Sequence, residues 1–480
     1  MRILIRADAG PQIGIGHVRR CLTLARMLVE LGSGVRFAAR LPTPIWRSQL
    51  AEFEGSAVFL GEAVSQIEGA DSSSWLGMTE VEDVQHTIEG AGDYRPDVII
   101  VDHYAIGENW HKTAKNHYSC AIVAVDDLGN RALSADLIID QNWCADHAKK
   151  YESVNNGHAK ILGGPRFSML DQAFRKKREG TPRDAEEMPE GCAASVGIFM
   201  GGGATTPAIR QALNALIRAE FLGKIEIVTT STNPDLASLQ GLTTDQNITI
   251  SLDLPHLADF FRKHTLHIGA GGSATWERFC LGAPTIALAL AENQRQIMLE
   301  LVEAGYQGGI DATDNTNLIP VEIALADAIR EAFASPTLRQ KWSDKGRALV
   351  DGQGAKRVTM AIMKSSLTIR PALSEDATLT HQWRNDARIR LTARTPDPIG
   401  PNAHAEWHAN SLTNRNRLLF VGAIGPCSVG VVRFDRKNLS STDCEVSIYL
   451  DLIWMALASA RGFLRQAKKH CLTIGQIFAQ

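Results

Sequence analysis

Apolar and polar positions along this chain follow two periods. Residues 2–6 form a short extended run. Val18, Cys21, Leu22, Ala25, Leu28 and Val29 then recur at helical spacing, which predicts a helix over 17–31 with Gly32 as its stop. Residues 35–39 read as the next strand. DVIIV (97–101), AIVAV (121–125) and 137–139 are almost wholly apolar. Such runs suit parallel strands covered on both faces, and the βαβα order predicts a doubly wound sheet.

Over 175–193 the pattern breaks. FRKKREGTPRDAEEMPEG is charged, carries Pro and Gly, and has no apolar period, which predicts a linker. The alternation then restarts, with strands at 195–200, 225–229, 266–268 and 285–288 and a helix over 208–222. A third region begins near 367 with a strand and a helix from about 375, followed by strands at 418–423, 428–434 and 445–450. The fold class expected is α/β. Two Rossmann-like domains, 1–175 and 190–365, face a cleft, and a smaller α+β module, 367–480, follows. Open α/β sheets bind ligands beyond the carboxyl ends of their strands, so the cleft is the expected site.

Composition narrows the function classes. A chain of 480 residues exceeds one ordinary domain. A formal charge of −3 provides no basic stripe for nucleic acid. No apolar run approaches the roughly 20 residues of a membrane helix, and MRILIRADAG lacks a secretory core. The eight cysteines include no CxxC pair, so reduced thiols and a cytoplasmic location are expected, without disulfides or structural zinc.

Three glycine turns lie between a strand and a helix: 14–16, 201–203 and 269–272. Glycine admits a ligand close to the backbone, and the helix start that follows favours phosphate. Gly14, Gly16, Gly202, Gly271 and Gly272 are therefore candidate binding residues. GIGHVRR is not G-x-G-x-x-G, and the second strand ends in Arg40 rather than an acidic residue, which disfavours a nicotinamide cofactor. A P-loop is absent as well. In GAGGSATWE, Ser273 is expected to cap the helix and face phosphate, and Glu277, one turn on, to accept from ribose hydroxyls. Asn293 and Gln294 are candidates for sugar hydroxyls or acetamido groups. A plain helix cap and a polar loop are the structural alternatives for these positions.

IRADAGPQIGIGHVRRCLTLA, VDHYAIGENW, DDLGNRALSADLIIDQN, GGPRFSML and GAGGSATWERFCLGAPTIALALAENQ, in this order over about residues 1–365, resemble the UDP-2,4-diacetamido-2,4,6-trideoxy-β-L-altropyranose hydrolases of pseudaminic acid biosynthesis. That family is related to the MurG-like glycosyltransferases and shares their two-domain GT-B fold. The resemblance implies that UDP sits mainly on the C-terminal half, that water displaces it at C1 with inversion, and that His17 of GIGH is the catalytic residue. An imidazole exchanges protons near neutral pH and can take one from that water. Neither a metal nor another cofactor is required. Asp8 and Asp102, at strand ends, are expected to orient the ring or bind the sugar; the residues alone leave open which does what. His103, Tyr104 and Arg20 are further substrate-binding candidates, and at least one of Arg19 and Arg20 is expected on the solvated face of the helix. Asp126 and Asp127 read as a turn and a cap. The partner implied is the UDP-sugar itself, together with association with other enzymes of nonulosonic acid biosynthesis. A glycosyltransferase of the same fold and a non-catalytic UDP-sugar binder are the alternatives.

TIRPALSEDATLTHQWRNDARIRLTARTPDPI and EVSIYLD resemble GNAT-type N-acetyltransferases. The glycine loop that grips acetyl-CoA in that family is replaced by DLIWMALASARGFLRQA, and the chain ends at Gln480 without room for the last strands. The module is therefore expected not to acetylate.

Overall fold

The computed structural model describes residues 1–8, 16–40, 50, 52–53, 58–60, 75–180, 194–201, 205–231, 233–241, 247–313, 319–365, 367–424, 427–438 and 444–451. The N-terminal half is a parallel sheet of β1 (Arg2–Ala7), β2 (Gly34–Ala39), β3 (Val58–Phe59), β4 (Val98–Asp102), β5 (Ala121–Val125), β6 (Leu137–Asp140) and β7 (Lys160–Gly163), in the order β3-β2-β1-β4-β5-β6-β7. Both faces are covered. Ile3, Ile5, Val98 and Ile100 share one core with the Gly16–Glu30 helix, while Leu4, Ile99 and Val101 share the other with Val84 and Trp110. Strand alternation makes this division, since successive side chains point to opposite faces.

The Gly16–Glu30 helix buries Val18, Cys21, Leu22, Ala25 and Leu28 as its spacing predicts, and Gly32, at φ 79°, allows the stop. Val29 departs from the expected face and is 46% exposed.

The C-terminal half repeats the plan. β8 (Ser195–Phe199), β9 (Lys224–Thr229), β10 (Ile248–Leu252), β11 (Leu266–Ala270), β12 (Thr285–Ala289) and β13 (Gly308–Asp311) form a parallel sheet in the order β10-β9-β8-β11-β12-β13. Strand order reverses between β1 and β4 in one half and between β8 and β11 in the other. These two switch points are where open α/β sheets leave a crevice.

The expected linker is partly a helix, Gln172–Glu179, which places its one large apolar side chain, Phe174, in the core of the C-terminal half beside Trp276 and Phe279. A single anchoring residue carries no period, so the composition alone suggested a coil. Residues 181–193 lie outside the described set. The Gly354–Ser365 helix returns the chain to the N-terminal half, where Val358 and Ile362 join the core of Ile3 and Leu24.

The last described region is the antiparallel sheet β14-β15-β16-β17: Leu367–Pro371, Arg417–Ile424, Cys427–Arg436 and Cys444–Leu450. Phe420, Val432 and Phe434 join the same core as the returning helix, while Leu419, Val421 and Val431 pack with Trp383 and Ile389. The module is thus welded to the N-terminal half by shared apolar burial. No helix among the described residues is long and apolar enough to cross a membrane.

Candidate functional site

β1 and β4 are paired with Ala7 opposite Asp102, so Asp8, Asp102 and His103 emerge together at neighbouring strand ends. The Gly16–Glu30 helix starts over this point. His17 and Arg20, one turn apart, lie on the face turned to the sheet, and both are buried.

Asp102 joins them. Its Oδ1 lies 2.5 Å from His17 Nδ1. Arg20 donates to both carboxylate oxygens, from Nε to Oδ2 at 2.6 Å and from Nη2 to Oδ1 at 2.5 Å. The Cys21 thiol adds a donor at 3.4 Å. Burial alone would raise this carboxyl, but the Arg20 guanidinium and His17 outweigh it and hold it below the usual carboxylate range. An ionised carboxylate only accepts, so Nδ1 carries its hydrogen toward Asp102, and in the neutral ring the lone pair is then on Nε2.

Strand parity decides between the two aspartates. Asp102 shares a face with Val98 and Ile100, the face under the helix. Asp8 shares a face with Arg6, which faces the other core. Arg6 grips Asp8 through both terminal nitrogens, at 2.5 and 2.9 Å, and also bonds Asp83; Arg40 adds its backbone N–H to Asp8 at 2.7 Å. Asp8 is therefore committed to a buried ion network and makes no bond to His17.

His103, expected at the substrate, is turned the same way as Asp8 and is 1% exposed. Its Nδ1 accepts from the Ala105 N–H at 3.2 Å, and its Nε2 stands 3.4 Å from Asp8 Oδ2. Burial pushes it down to about 4, so it is neutral at pH 7. It lies behind the site, not in it. Tyr104 is at the front. It is half-buried, packs edge-on against the His17 ring at 4.6 Å, and neighbours Trp75 at 5.8 Å.

Arg20 is buried and Arg19 half-buried, so Arg19 is the more solvated of the two. Asp126 takes the turn role expected of it, accepting from the Gly129 N–H and from Arg131. Asp127 departs from the expected cap and instead meets Arg20 Nη1 at 3.3 Å.

From the opposite half comes the turn after β11. A Cβ placed on Gly16 would lie 3.8 Å from Ser273 Oγ, so the starts of the Gly16–Glu30 and Ala274–Leu281 helices meet head to head. Ser273 holds the N-cap position with a helical backbone (φ −57°, ψ −27°) and makes no capping bond. The expected cap fails because the side-chain oxygen reaches the N–H groups one turn on only from an extended N-cap residue. The hydroxyl is exposed and faces the other half instead. Gly271 and Gly272 pack against Gln294, whose Oε1 accepts from the Leu290 N–H at 3.2 Å. Gln294 thereby braces the turn, and Asn293 is exposed at the start of the Glu292–Glu303 helix. Glu277 is half-buried, and burial pushes its carboxyl up to about 7 against the opposing pull of Arg19 and Arg278. Gly14 and Gly202 lie outside the described residues, as does 452–480, where the acetyl-CoA loop was sought.

Two features escaped the sequence reading. Trp276 donates its indole N–H to Asn142 Oδ1 at 3.0 Å, which ties the two halves together beside the turn. The Arg6–Asp8–Asp83–Arg40 network was signalled only by Arg6, the charged residue flanked by apolar neighbours within the strand RILIRA.

A UDP-2,4-diacetamido-2,4,6-trideoxy-β-L-altropyranose hydrolase of Campylobacter jejuni is 25% identical over 309 residues, covering 64% of this chain and 98% of that protein. The spore coat polysaccharide biosynthesis protein SpsG of Bacillus subtilis is 22% identical over 363 residues, 75% of this chain and 97% of its own. MurG of Acinetobacter baumannii superposes with a TM-score of 0.50 over 76% of this chain and 99% of that one, at 15% identity. No protein-family profile matches. The MurG likeness bears out the expected two-domain α/β fold.

Proposed function

We propose that the chain is a nucleotide-sugar hydrolase that cleaves the C1–oxygen bond of a UDP-linked diacetamido-trideoxy sugar. The observation that carries this reading is the Asp102–His17 pair beside a helix start that abuts the Ser273 turn of the other half. Two helix starts carry partial positive charge, and meeting head to head they favour an anion beside their junction. A diphosphate supplies one. The name of the Campylobacter jejuni relative supports the altropyranose sugar and hydrolysis as the reaction.

In this reading water attacks C1 and its proton passes to His17 Nε2, while the imidazolium formed is stabilised by Asp102. The C1–oxygen bond breaks, and its electron pair leaves with UDP, whose charge meets the helix starts. Arg20 keeps Asp102 ionised and so able to orient the ring. Tyr104 and Trp75 form an aromatic wall beside the ring. Glu277 and the Gly271–Ser273 turn are the nucleoside diphosphate side.

The test is UDP release from UDP-2,4-diacetamido-2,4,6-trideoxy-β-L-altrose without acceptor, comparing the intact chain with His17→Ala. Release lost in the variant with UDP binding kept supports hydrolysis. Release that appears only with an added acceptor assigns a glycosyltransferase. For the module from 367, the four-stranded sheet supports the GNAT-type likeness of its sequence; acetyl-CoA binding to the intact chain tests it, and none is expected.

A further inference from the structure

Arg278 is the best candidate for a role that the mechanism above does not use. It lies on the Ala274–Leu281 helix, one turn beyond the glycine turn, and is 0% exposed. Nη2 donates to Ala270 O at 2.9 Å and to Thr275 Oγ1 at 3.0 Å, which brackets the Gly271–Ser273 turn from beneath. Nε and Nη1 are buried and meet no acceptor among the described residues. Nη1 fills the space that a side chain at Gly269 would need, next to Phe199 O at the carboxyl ends of β8 and β11.

A buried guanidinium ordinarily has a carboxylate in contact, because leaving a charge unpaired away from water is costly. Here Glu277 is near enough to be felt and makes no hydrogen bond to it, and burial pushes Arg278 down to about 10. The charge therefore stands without a hydrogen-bonded carboxylate directly beneath the turn, at the switch point of the sheet. Above it are the helix start at Ser273 and, across the cleft, the helix start at Gly16. All three contributions have the same sign, and among the described residues nothing of opposite sign bonds this guanidinium.

We propose that Arg278 is the buried counter-charge of the diphosphate site: a positioning residue that shapes the turn through Ala270 and Thr275 and attracts the phosphates through its field, without touching them. The proposal rests on the UDP-sugar reading. It also explains why position 269 is glycine, since any Cβ there would displace the guanidinium.

The experiment is calorimetric binding of UDP and of uridine to the intact chain, to Arg278→Gln and to Arg278→Lys. Gln keeps a donor for the Ala270 carbonyl and removes the charge; Lys keeps the charge and loses the planar fork. The expected result is UDP binding weakened about tenfold in Arg278→Gln and within about threefold of wild type in Arg278→Lys, with uridine within about twofold in both. If Arg278→Gln binds UDP as well as the wild type, or loses UDP and uridine equally, the counter-charge role is overturned. Retention by Gln with loss in Lys would make Arg278 a structural brace and overturn it too. Failure of the wild type to bind UDP at all would sink the nucleotide reading itself, a result distinct from these.

Discussion

Gly16 and Ser273 face each other across the cleft, with room for one methyl group between them: a Cβ at Gly16 would sit 3.8 Å from Ser273 Oγ. One residue opens the helix that carries His17, and the other opens the helix that carries Glu277 and Arg278. Gly16→Ala is expected to fit, while Gly16→Leu projects its branch into the ligand's path. A steric cost to binding of about 1.4 kcal/mol is tenfold, so KM for the UDP-sugar should rise about tenfold or more in the leucine variant. An unaltered KM would show that the ligand passes elsewhere.

The Asp102–His17–Arg20 cluster separates catalysis from stability. Asp102→Asn removes the negative charge and turns one of the two acceptor oxygens into a donor, so the amide cannot accept from both Arg20 nitrogens and fix the ring tautomer as the carboxylate does. UDP release should fall about 10²–10⁴-fold, and chemical denaturation should show a loss of about 3–5 kcal/mol, the usual result of breaking a buried pair. His17→Gln should lose the rate without that destabilisation, because Asp102 keeps Arg20. Equal stability losses in the two variants would contradict this division.

Much of this site was legible. The period of 17–31 located the helix, and the glycine before His17 located its start. The choice between Asp8 and Asp102 was not legible, because strand parity separates 98, 100 and 102 from 4, 6 and 8 but only the packing shows which of the two faces the helix covers. Ser273 misled because a serine before a helix usually caps it, and only the backbone angles show that this one does not. The Trp276–Asn142 bond joins residues 134 positions apart and leaves no local trace. Arg278 reads in sequence as an ordinary helix residue; its meaning comes from the sheet beneath it.

Trp276→Phe tests the tie between the halves. The ring stays in the core of Phe174 and Phe279, so stability should change by only about 1 kcal/mol, the net worth of one hydrogen bond. UDP binding, proposed above for the C-terminal half, should persist. The rate of UDP release should fall, because His17 and the sugar are then less firmly registered. A variant with unchanged kcat and KM would remove Asn142 from the account.

Acid stability follows from the buried imidazoles. His111, inside the N-terminal half, is pushed down to about 3, first by burial and then by Arg131 and Lys115. Its folded form resists protonation, while the unfolded chain protonates near 6.5. The unfolded state therefore binds more protons below that pH, and stability falls as pH drops from about 6.5 toward 3. By pH 5 the loss from this residue is about 2 kcal/mol. Urea midpoints measured at pH 7.5 and 5.0 should draw apart in the wild type and move closer together in His111→Gln.

Glu277 gives the opposite shift and a functional readout. Its carboxyl is pushed up to about 7 by burial. An unfolded glutamate ionises near 4.5, so the folded state binds the extra proton, and this residue lowers stability as pH rises from about 4.5 through 7. Ligand binding runs the other way. Ribose hydroxyls donate to a carboxylate and gain less from the acid form, so affinity should rise with pH. Uridine is the right probe, because it carries no phosphate whose own titration would overlap. Between pH 6 and 8 its affinity should increase by up to about tenfold, the change in ionised fraction of a group titrating near 7. Glu277→Gln should bind uridine more weakly at pH 8 and show a flat profile. A wild-type profile as flat as the variant's would remove the ribose contact from Glu277 and leave its raised carboxyl a property of packing alone.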